Sequence, residues 1–349
     1  MSLWQTYCAR RSRANGGHEM GIKILSTGSY KPLLTVTNDD LASCVETNDE
    51  WIRTRTGISE RHMTNGEPTW YMGTRAAERA IDEAGIDPLD IGMIICSTIT
   101  NDYFTPSCAA VIQREIGAAN AAAFDLGAAC SGFVYSLDTA RRFLMTDDRL
   151  KYVLVVAAEQ LSYITDFTDR SSCILFGDGA AAFIVERSDA FCTSWLGCDG
   201  SGMNRLYAKV AHDPHPFVKD PVHIDDGTAD DAPVGVLVQD GKEVYKFATK
   251  ALPHAVKMAL EGTGTGVEDI DIFVPHQANI RIIETAAKNL GVGLEKFYTN
   301  IGHTGNTSSA SIPLAFDEAV HTGAVKRGQK VCFVGFGAGL TLAAMVFDY

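Results

Sequence analysis

The feature that most constrains the fold of this chain is an internal repeat with a constant offset. Residues 76–95 predict an amphipathic helix, a glycine turn and an apolar strand, and residues 251–274 repeat that order. The two strands of this repeat begin at Asp90 and Asp269, which are 179 residues apart. A further pair of apolar strands, at 151–156 and 330–334, is separated by the same 179 residues. Equal offsets at two separate places predict a duplication of two similar halves.

Each half alternates helical patterns with short, almost continuous apolar runs. Such runs are typical of strands that helices cover on both faces, which favours an α/β fold with a largely parallel sheet in each half. A small, apolar helix predicted over 131–140 suits a position between two layers. We therefore expect two stacked sheets with helices between and outside them, divided into halves at 20–190 and 191–349.

Three segments depart from this pattern. Residues 1–19 show no hydrophobic period and no apolar core of a signal peptide, so we expect an N-terminal extension outside the fold. Residues 195–240 are rich in proline and acidic clusters, which suits either a lid over a binding site or a flexible connection. Residues 331–347 carry no charge, but glycines interrupt them, so two buried strands fit better than a membrane span.

Charge and cysteine content exclude several classes of protein. The chain has 30 basic and 43 acidic residues, a net charge of −13, which disfavours nucleic acid and anionic membranes as partners. Its nine cysteines form no C-x-x-C pair, so neither a zinc ribbon nor a redox dithiol is indicated, and no metal site is expected. Unpaired cysteines in apolar runs predict a cytoplasmic protein.

The strongest local signal is the segment 124–133, with Cys130 after a run of small residues. We expect a strand to end there and a helix to begin at the cysteine. The helix dipole and free backbone N–H groups would then stabilise a thiolate. The alternative is a buried structural cysteine, and the local pattern leaves both interpretations open.

Three segments of the second half carry further candidates. His276 follows a predicted buried strand, where α/β proteins place their sites, although a buried histidine with satisfied hydrogen bonds fits equally well. Asn306 lies in a polar counterpart of the Cys130 turn, which alone could be a simple helix cap. The glycine-rich segment 334–341 lies between two strands, which favours backbone N–H donors for an oxyanion over a dinucleotide site. If the halves pack about a pseudo-twofold axis, the three side chains meet.

These motifs in combination resemble one family. Cys130 in AACSGF, His276 in PHQANIRI and Asn306 in GHTGNTSSASIP resemble the site of the 3-oxoacyl-[acyl-carrier-protein] synthase III family, and residues 48–58 and 168–180 match it as well. The resemblance runs from about residue 20 to the C-terminus. It implies a thiolase-like, five-layered αβαβα fold of two duplicated halves, a homodimer, and no cofactor, since acyl-CoA is a substrate.

The resemblance also implies roles for individual residues. The catalytic residues would be Cys130, His276 and Asn306, and the oxyanion loop would be Gly337, Ala338 and Gly339. Contacts to CoA are implied for Trp51, Arg55, Arg170 and Asn279, and docking of the carrier protein for Lys246, Arg281 and Lys288. One departure from the family pattern is Ala338, which stands where a third glycine is typical.

The implied reaction is the initiating condensation of type II fatty acid synthesis. An acyl group would pass from acyl-CoA to Cys130, and malonyl-acyl-carrier protein would then lose CO₂ and condense with it, giving 3-oxoacyl-acyl-carrier protein. Primer choice would depend on the loop 101–106. Two alternatives stay open: a condensing enzyme of secondary metabolism that makes quinolones, polyketides or esters, and a non-catalytic CoA-binding protein.

Overall fold

The computed structural model describes residues 21–210, 215–217, 219, 227–229 and 232–349. The expected extension at 1–19 lies outside the described residues. So does part of the expected lid or connection, because 211–214, 218, 220–226 and 230–231 are not described. No helix within the described ranges combines the length and apolar character needed to cross a membrane.

Strands and helices alternate along the chain. The strands are β1 (Gly21–Tyr30), β2 (Leu34–Thr37), β3 (Glu60–Met63), β4 (Ile91–Ser97), β5 (Ala122–Leu126), β6 (Tyr152–Gln160), β7 (Asp178–Ser188), β8 (Cys192–Cys198), β9 (Leu206–Ala208), β10 (Leu237–Gln239), β11 (Ile272–Pro275), β12 (Lys330–Gly337) and β13 (Thr341–Asp348). The α-helices are α1 (Asn38–Leu41), α2 (Asp49–Thr56), α3 (Thr69–Ala84), α4 (Cys108–Glu115), α5 (Gly132–Thr146), α6 (Arg170–Cys173), α7 (Gly241–Leu260), α8 (Ile280–Leu290), α9 (Ile301–Thr304) and α10 (Ser311–His321).

The two main sheets repeat one topology. The first has the order β1-β7-β6-β4-β5 and the second the order β8-β13-β12-β11. An isolated parallel bridge between Phe273 and Phe297 extends the second sheet where β5 extends the first. The duplication predicted from the sequence is therefore visible in strand order.

The expectation of largely parallel sheets was wrong. β4 is parallel to β5 and β6, and β11 is parallel to β12, but β1, β7, β8 and β13 all pair antiparallel. Continuous apolar runs report that both faces of a strand are buried, and that burial does not depend on the direction of the neighbouring strand. The predicted strand pair around a glycine turn is confirmed as the β12–β13 hairpin.

The predicted five layers follow from where the apolar side chains pack. Helices α5 and α10 lie between the two sheets, where Phe133 of α5 packs 4.8 Å from Phe183 of β7 and Phe316 of α10 packs 4.9 Å from Phe333 of β12, measured between ring centroids. Helices α3 and α4 cover the outer face of the first sheet, and α7 and α8 cover the outer face of the second. The predicted central helix at 131–140 is thus present as α5.

A third pair of positions with the same offset as the strand pairs marks the approximate twofold axis. These are Ala129, which has φ 46°, and Ser308, which has φ 49°. Each opens a short 3₁₀ turn, at 129–131 and 308–310, directly before a central helix. A left-handed conformation costs a non-glycine residue about 1–2 kcal/mol, so its presence at both positions reflects a tightly packed axis.

A buried ion cluster ties the two halves together. Asp138 of α5 is fully buried and accepts hydrogen bonds from Arg141 (2.9 Å), from Arg142 (2.7 Å) and from the Ser194 hydroxyl of β8 (2.6 Å). Arg141 is itself buried, and the Asp138 carboxylate compensates part of its positive charge.

We predict that Asp138→Ala destabilises the protein by about 3–5 kcal/mol, because it leaves a buried guanidinium without this partner. The midpoint of urea unfolding measures the change. Asp147→Ala is the matched control, since its ion-pair partner Arg149 is exposed and little change is expected. Equal shifts for the two variants would show that the cluster does not stabilise the contact between the halves.

Candidate active site

One cavity of about 490 Å³ receives side chains from both halves. Cys130 and Leu161 come from the first half, and His276, Asn306 and Phe336 come from the second. The structure therefore brings the three residues predicted as catalytic together at the approximate twofold axis. Most of the remaining lining is apolar, so few water molecules compete for hydrogen bonds with the polar groups in the cavity.

Cys130 lies in the 3₁₀ turn between β5 and α5, and the α-helix begins two residues later, at Gly132, rather than at the cysteine as expected. Its side chain is partly buried at the cavity wall, and this burial raises the pKa of its thiol to about 12. This shift runs opposite to the thiolate stabilisation expected from the helix end. The reason is that desolvation of a charged sulfur outweighs a few partial charges when no cation stands beside it.

His276 is a neutral hydrogen-bond donor in this site. Its ring is buried, which lowers its pKa to about 3, so the imidazole is uncharged at neutral pH. Nδ1 lies 2.7 Å from the Ser311 hydroxyl, which already accepts the Gln277 N–H at 3.3 Å. We assign the Ser311 proton to the bond with Nδ1, and this tautomer leaves Nε2 as the N–H. Phe336 holds the ring edge-on, with ring centroids 5.3 Å apart.

Asn306 presents its amide N–H groups to the cavity. Its Oδ1 accepts the backbone N–H of Ser308 at 2.9 Å, so Nδ2 carries the free donors. Its backbone N–H donates to the Leu175 carbonyl at 2.8 Å, and its backbone carbonyl accepts the Gly177 N–H at 3.0 Å. Both ends of the residue are thus held before any ligand binds.

The glycine loop joins β12 to β13 beside Cys130. A Cβ on Gly337 would lie 2.6 Å from the Cys130 backbone nitrogen, so only glycine allows this approach. Gly339 has φ 131°, a conformation that glycine alone adopts readily. Ala338 lines the cavity, so its methyl group narrows the site where the family pattern has glycine.

Of the residues predicted to bind CoA, Trp51, Arg55 and Asn279 line the cavity, and Arg170 lies against the Trp51 ring. The guanidinium carbons of Arg55 and Arg170 lie 4.3 and 4.8 Å from the centroid of the Trp51 ring. An adenine stacked between Trp51 and Arg170 needs about 7 Å, two van der Waals contacts, so the guanidinium must move aside when a base enters. Asn279 lines the cavity and caps α8, accepting the Arg281 N–H at 2.9 Å.

The three predicted docking cations lie on exposed helix surface. Arg281 and Lys288 are both on α8, as their spacing predicts, and the Arg281 guanidinium donates to the Thr54 carbonyl at 2.9 Å. Lys246 is on α7 and pairs with Glu243 at 2.6 Å. Its charge is therefore partly compensated within the chain.

Sequence reasoning missed several residues of the site. Leu206 and Gln239, from the paired strands β9 and β10 inside the 195–240 region, line the cavity. The described part of that region thus forms a wall, as a lid would. Ser308 and the buried Glu159, which lie beside and behind Cys130, were also missed. The only signal for Glu159 was a single acid near the end of an apolar strand. Within the described residues, no group of three His, Cys, Asp or Glu side chains is placed to hold a metal ion.

Comparisons with known proteins agree with this geometry. Residues 124–200 match the family model for 3-oxoacyl-[acyl-carrier-protein] synthase III, and residues 260–349 match the model for its C-terminal part. The beta-ketoacyl-[acyl-carrier-protein] synthase III of Clostridium acetobutylicum is 46% identical over 330 residues, covering 94% of this chain and 98% of the relative.

Solved structures give the same result. The 3-oxoacyl-[acyl-carrier-protein] synthase III from Aquifex aeolicus VF5 is 39% identical with a TM-score of 0.85, covering 94% of this chain and all of the other. The priming beta-ketosynthase of the R1128 polyketide pathway is 37% identical with a TM-score of 0.84, covering 96% and 98%. This chain therefore belongs to the 3-oxoacyl-[acyl-carrier-protein] synthase III family of thiolase-fold acyltransferases.

Proposed function

We propose that this chain is the initiating condensing enzyme of type II fatty acid synthesis. It takes an acyl group from acyl-CoA onto Cys130 and condenses it with malonyl-acyl-carrier protein, releasing CoA and CO₂. The observation that supports this most directly is the meeting of a thiol, a neutral imidazole N–H and an amide N–H in one apolar cavity. The relatives from Clostridium acetobutylicum and Aquifex aeolicus are 3-oxoacyl-[acyl-carrier-protein] synthases III by name.

In the first half-reaction, Cys130 sulfur attacks the thioester carbon and CoA leaves. The tetrahedral oxyanion binds the Cys130 N–H and an N–H of the loop 337–339, which Gly337 allows to lie close by. The CoA adenine stacks near Trp51 and Arg170, Arg55 contacts its phosphates, and pantetheine passes Asn279. Each step uses side chains and backbone groups, so the proposal requires no resident cofactor.

In the second half-reaction, the malonyl thioester oxygen binds His276 Nε2–H and Asn306 Nδ2–H. Loss of CO₂ leaves an electron pair on the adjacent carbon and negative charge on that oxygen, where the two neutral donors stabilise it. The enolate carbon then attacks the acyl-Cys130 carbonyl, a new carbon–carbon bond forms, and Cys130 sulfur is released. A neutral histidine suits this role because it donates without needing to be protonated first.

We further propose that the protein is a cytoplasmic homodimer. Strand β5 is an edge strand of the first sheet, so its outer side lacks a strand partner among the described residues. Phe104, in the neighbouring loop, is 89% exposed. An open edge next to an exposed aromatic favours pairing with a second copy. The cysteines at described positions form no disulfide bonds with one another, which supports a reducing compartment.

The similarity to the R1128 priming ketosynthase supports a second candidate, a priming enzyme of polyketide synthesis. Its two half-reactions would be the same, and only the carrier protein that takes the product would differ. Assays with fatty acid and polyketide carrier proteins, each malonylated, separate the two by kcat/KM.

The proposed function is tested first by acylation of Cys130. The wild-type protein incubated with acetyl-CoA and longer acyl-CoAs gains the acyl mass on Cys130, and Cys130→Ser does not, because a serine hydroxyl is a far poorer nucleophile. Intact-protein mass spectrometry measures this. A wild type that gains no acyl mass from any of them would favour a non-catalytic CoA-binding protein instead.

We predict that His276→Ala and Asn306→Ala affect the second half-reaction more than the first. Loss of one oxyanion donor slows decarboxylation roughly 10²–10³-fold. Formation of acyl-Cys130 falls much less, because neither side chain binds the acyl oxyanion in this mechanism. Acyl-enzyme mass and release of labelled CO₂ are measured separately. If a variant slows acylation and decarboxylation equally, the replaced residue supports the reactivity of Cys130 and does not act only on the malonyl group.

We predict that Lys288→Glu raises KM for malonyl-acyl-carrier protein on the order of tenfold and leaves use of malonyl-CoA nearly unchanged, because the charge reversal repels an acidic partner. Arg281→Glu acts in the same direction but also breaks its bond to Thr54. Lys257→Glu is the matched control, about 18 Å along α7 from the cavity residue Tyr245. Equal effects of Lys288→Glu and Lys257→Glu would exclude a local docking face.

A further inference from the structure

A buried carboxylate lies behind the nucleophile and has no role in the mechanism above. Glu159, at the end of β6, is fully buried. One oxygen accepts the Ile99 N–H (3.0 Å) and the Thr100 hydroxyl (3.0 Å), and the other accepts the Ser309 hydroxyl (2.7 Å). All these donors are neutral, so no cation among them balances the carboxylate charge.

One unpaired hydroxyl lies in the turn that connects the cavity wall to this carboxylate: Ser308 lines the cavity with Cys130, and the next residue, Ser309, donates to Glu159. The Ser308 hydroxyl is buried at the cavity wall and has no hydrogen-bond partner among the described residues. It lies close enough to both groups to lower the pKa of the Cys130 thiol and that of the Glu159 carboxyl. Nearly all buried hydroxyls in proteins are paired, so an unpaired hydroxyl beside a nucleophile suggests a partner that forms during the reaction.

The first half-reaction needs such a partner because the thiol must lose its proton. Burial holds the pKa of Cys130 near 12, so little thiolate exists at neutral pH. His276 is a poor acceptor, since burial lowers its pKa to about 3 and its unprotonated Nδ1 is bonded to Ser311. The remaining candidate base is Glu159, whose pKa, like that of Cys130, responds to the Ser308 hydroxyl.

We propose that Ser308 and Glu159 form a proton relay that accepts the thiol proton of Cys130 during acyl transfer. As Cys130 sulfur bonds to the acyl carbon, its proton passes to Ser308 Oγ, and the Ser308 proton passes to the Glu159 carboxylate. The bond between the acyl carbon and CoA sulfur breaks, and CoA leaves as a thiolate. The relay then runs in reverse and returns the proton to CoA, so the free thiol is released. This step rests on the proposed function.

The relay predicts a distinctive pH dependence. Burial raises the pKa of Glu159 above its ordinary value, and the titratable groups that face it are Cys130 and Cys96. Burial and its neighbour Cys108 keep the Cys96 thiol neutral. The acylation rate therefore rises with pH as Glu159 ionises and is flat above that. Without the relay, the rate follows the Cys130 thiolate and rises through the whole alkaline range.

Ser308→Ala, Ser308→Gly and Glu159→Gln test the relay. Both replacements at 308 tolerate its left-handed backbone, since Ala129 adopts the same conformation at the equivalent position. We expect each variant to slow acylation by acetyl-CoA roughly 10²-fold at neutral pH and to lose the plateau that follows ionisation of Glu159. Glu159→Asp, which keeps a carboxylate, is expected to retain the plateau. Release of CO₂ by enzyme acylated to the same extent should change far less.

Ser136→Ala is the matched control, because Ser136 is another buried hydroxyl without a partner among the described residues, but it lies away from the cavity. It should acylate at the wild-type rate. The relay is overturned if Ser308→Ala and Ser308→Gly keep the wild-type rate and pH profile, or if CO₂ release falls as much as acylation. A wild type that is not acylated at all would instead overturn the proposed function, and the relay with it.

Discussion

The close packing of two equivalent turns, 129–131 and 308–310, is the constraint on which the site depends. A Cβ on Gly132 would lie 3.5 Å from the Ser309 Cβ and only 2.0 Å from the Ser97 hydroxyl, so the start of α5 is in contact with the second turn and packs tightly against β4. This contact holds Ala129 and Ser308 in left-handed conformations. It also sets the distance between a nucleophile from one half and donors from the other, which no single half could provide.

Exclusion of water is the second property that the packing creates, and it favours the neutral forms of Cys130 and His276. It raises the pKa of the Cys130 thiol and lowers that of the His276 imidazole. A neutral histidine is a good donor to an enolate, while a neutral cysteine is a poor nucleophile. The same burial therefore helps the second half-reaction and hinders the first. A buried carboxylate near the thiol answers that difficulty without placing a charge in the cavity.

Much of the fold could be predicted from the sequence because the duplication repeats the same order of helices and strands in each half. The repeat identified the halves and the meeting of Cys130, His276 and Asn306, and the small apolar residues of 131–140 identified the central helix. Strand direction could not be predicted, since apolar content reports burial alone. The protonation state of Cys130 could not be predicted either, because an argument from the helix end is local and desolvation is a property of the whole site. Glu159 and Ser308 were missed for a similar reason, since they act through neighbours distant in sequence.

The differences between the halves follow from the chemistry that each turn serves. With the offset that relates Ala129 to Ser308, Cys130 corresponds to Ser309 and Glu159 corresponds to Ala338. The position of Glu159 relative to Ser309 is therefore equivalent to the position of Ala338 relative to Cys130 in the other half. A carboxylate at 338 would face the oxyanion that forms on the acyl-cysteine and would oppose it by charge repulsion. Placed at 159 instead, the carboxylate reaches the thiol only through a hydroxyl, where it can accept a proton without meeting the developing charge. Loss of symmetry at this one pair of positions therefore separates the proton acceptor from the oxyanion donors.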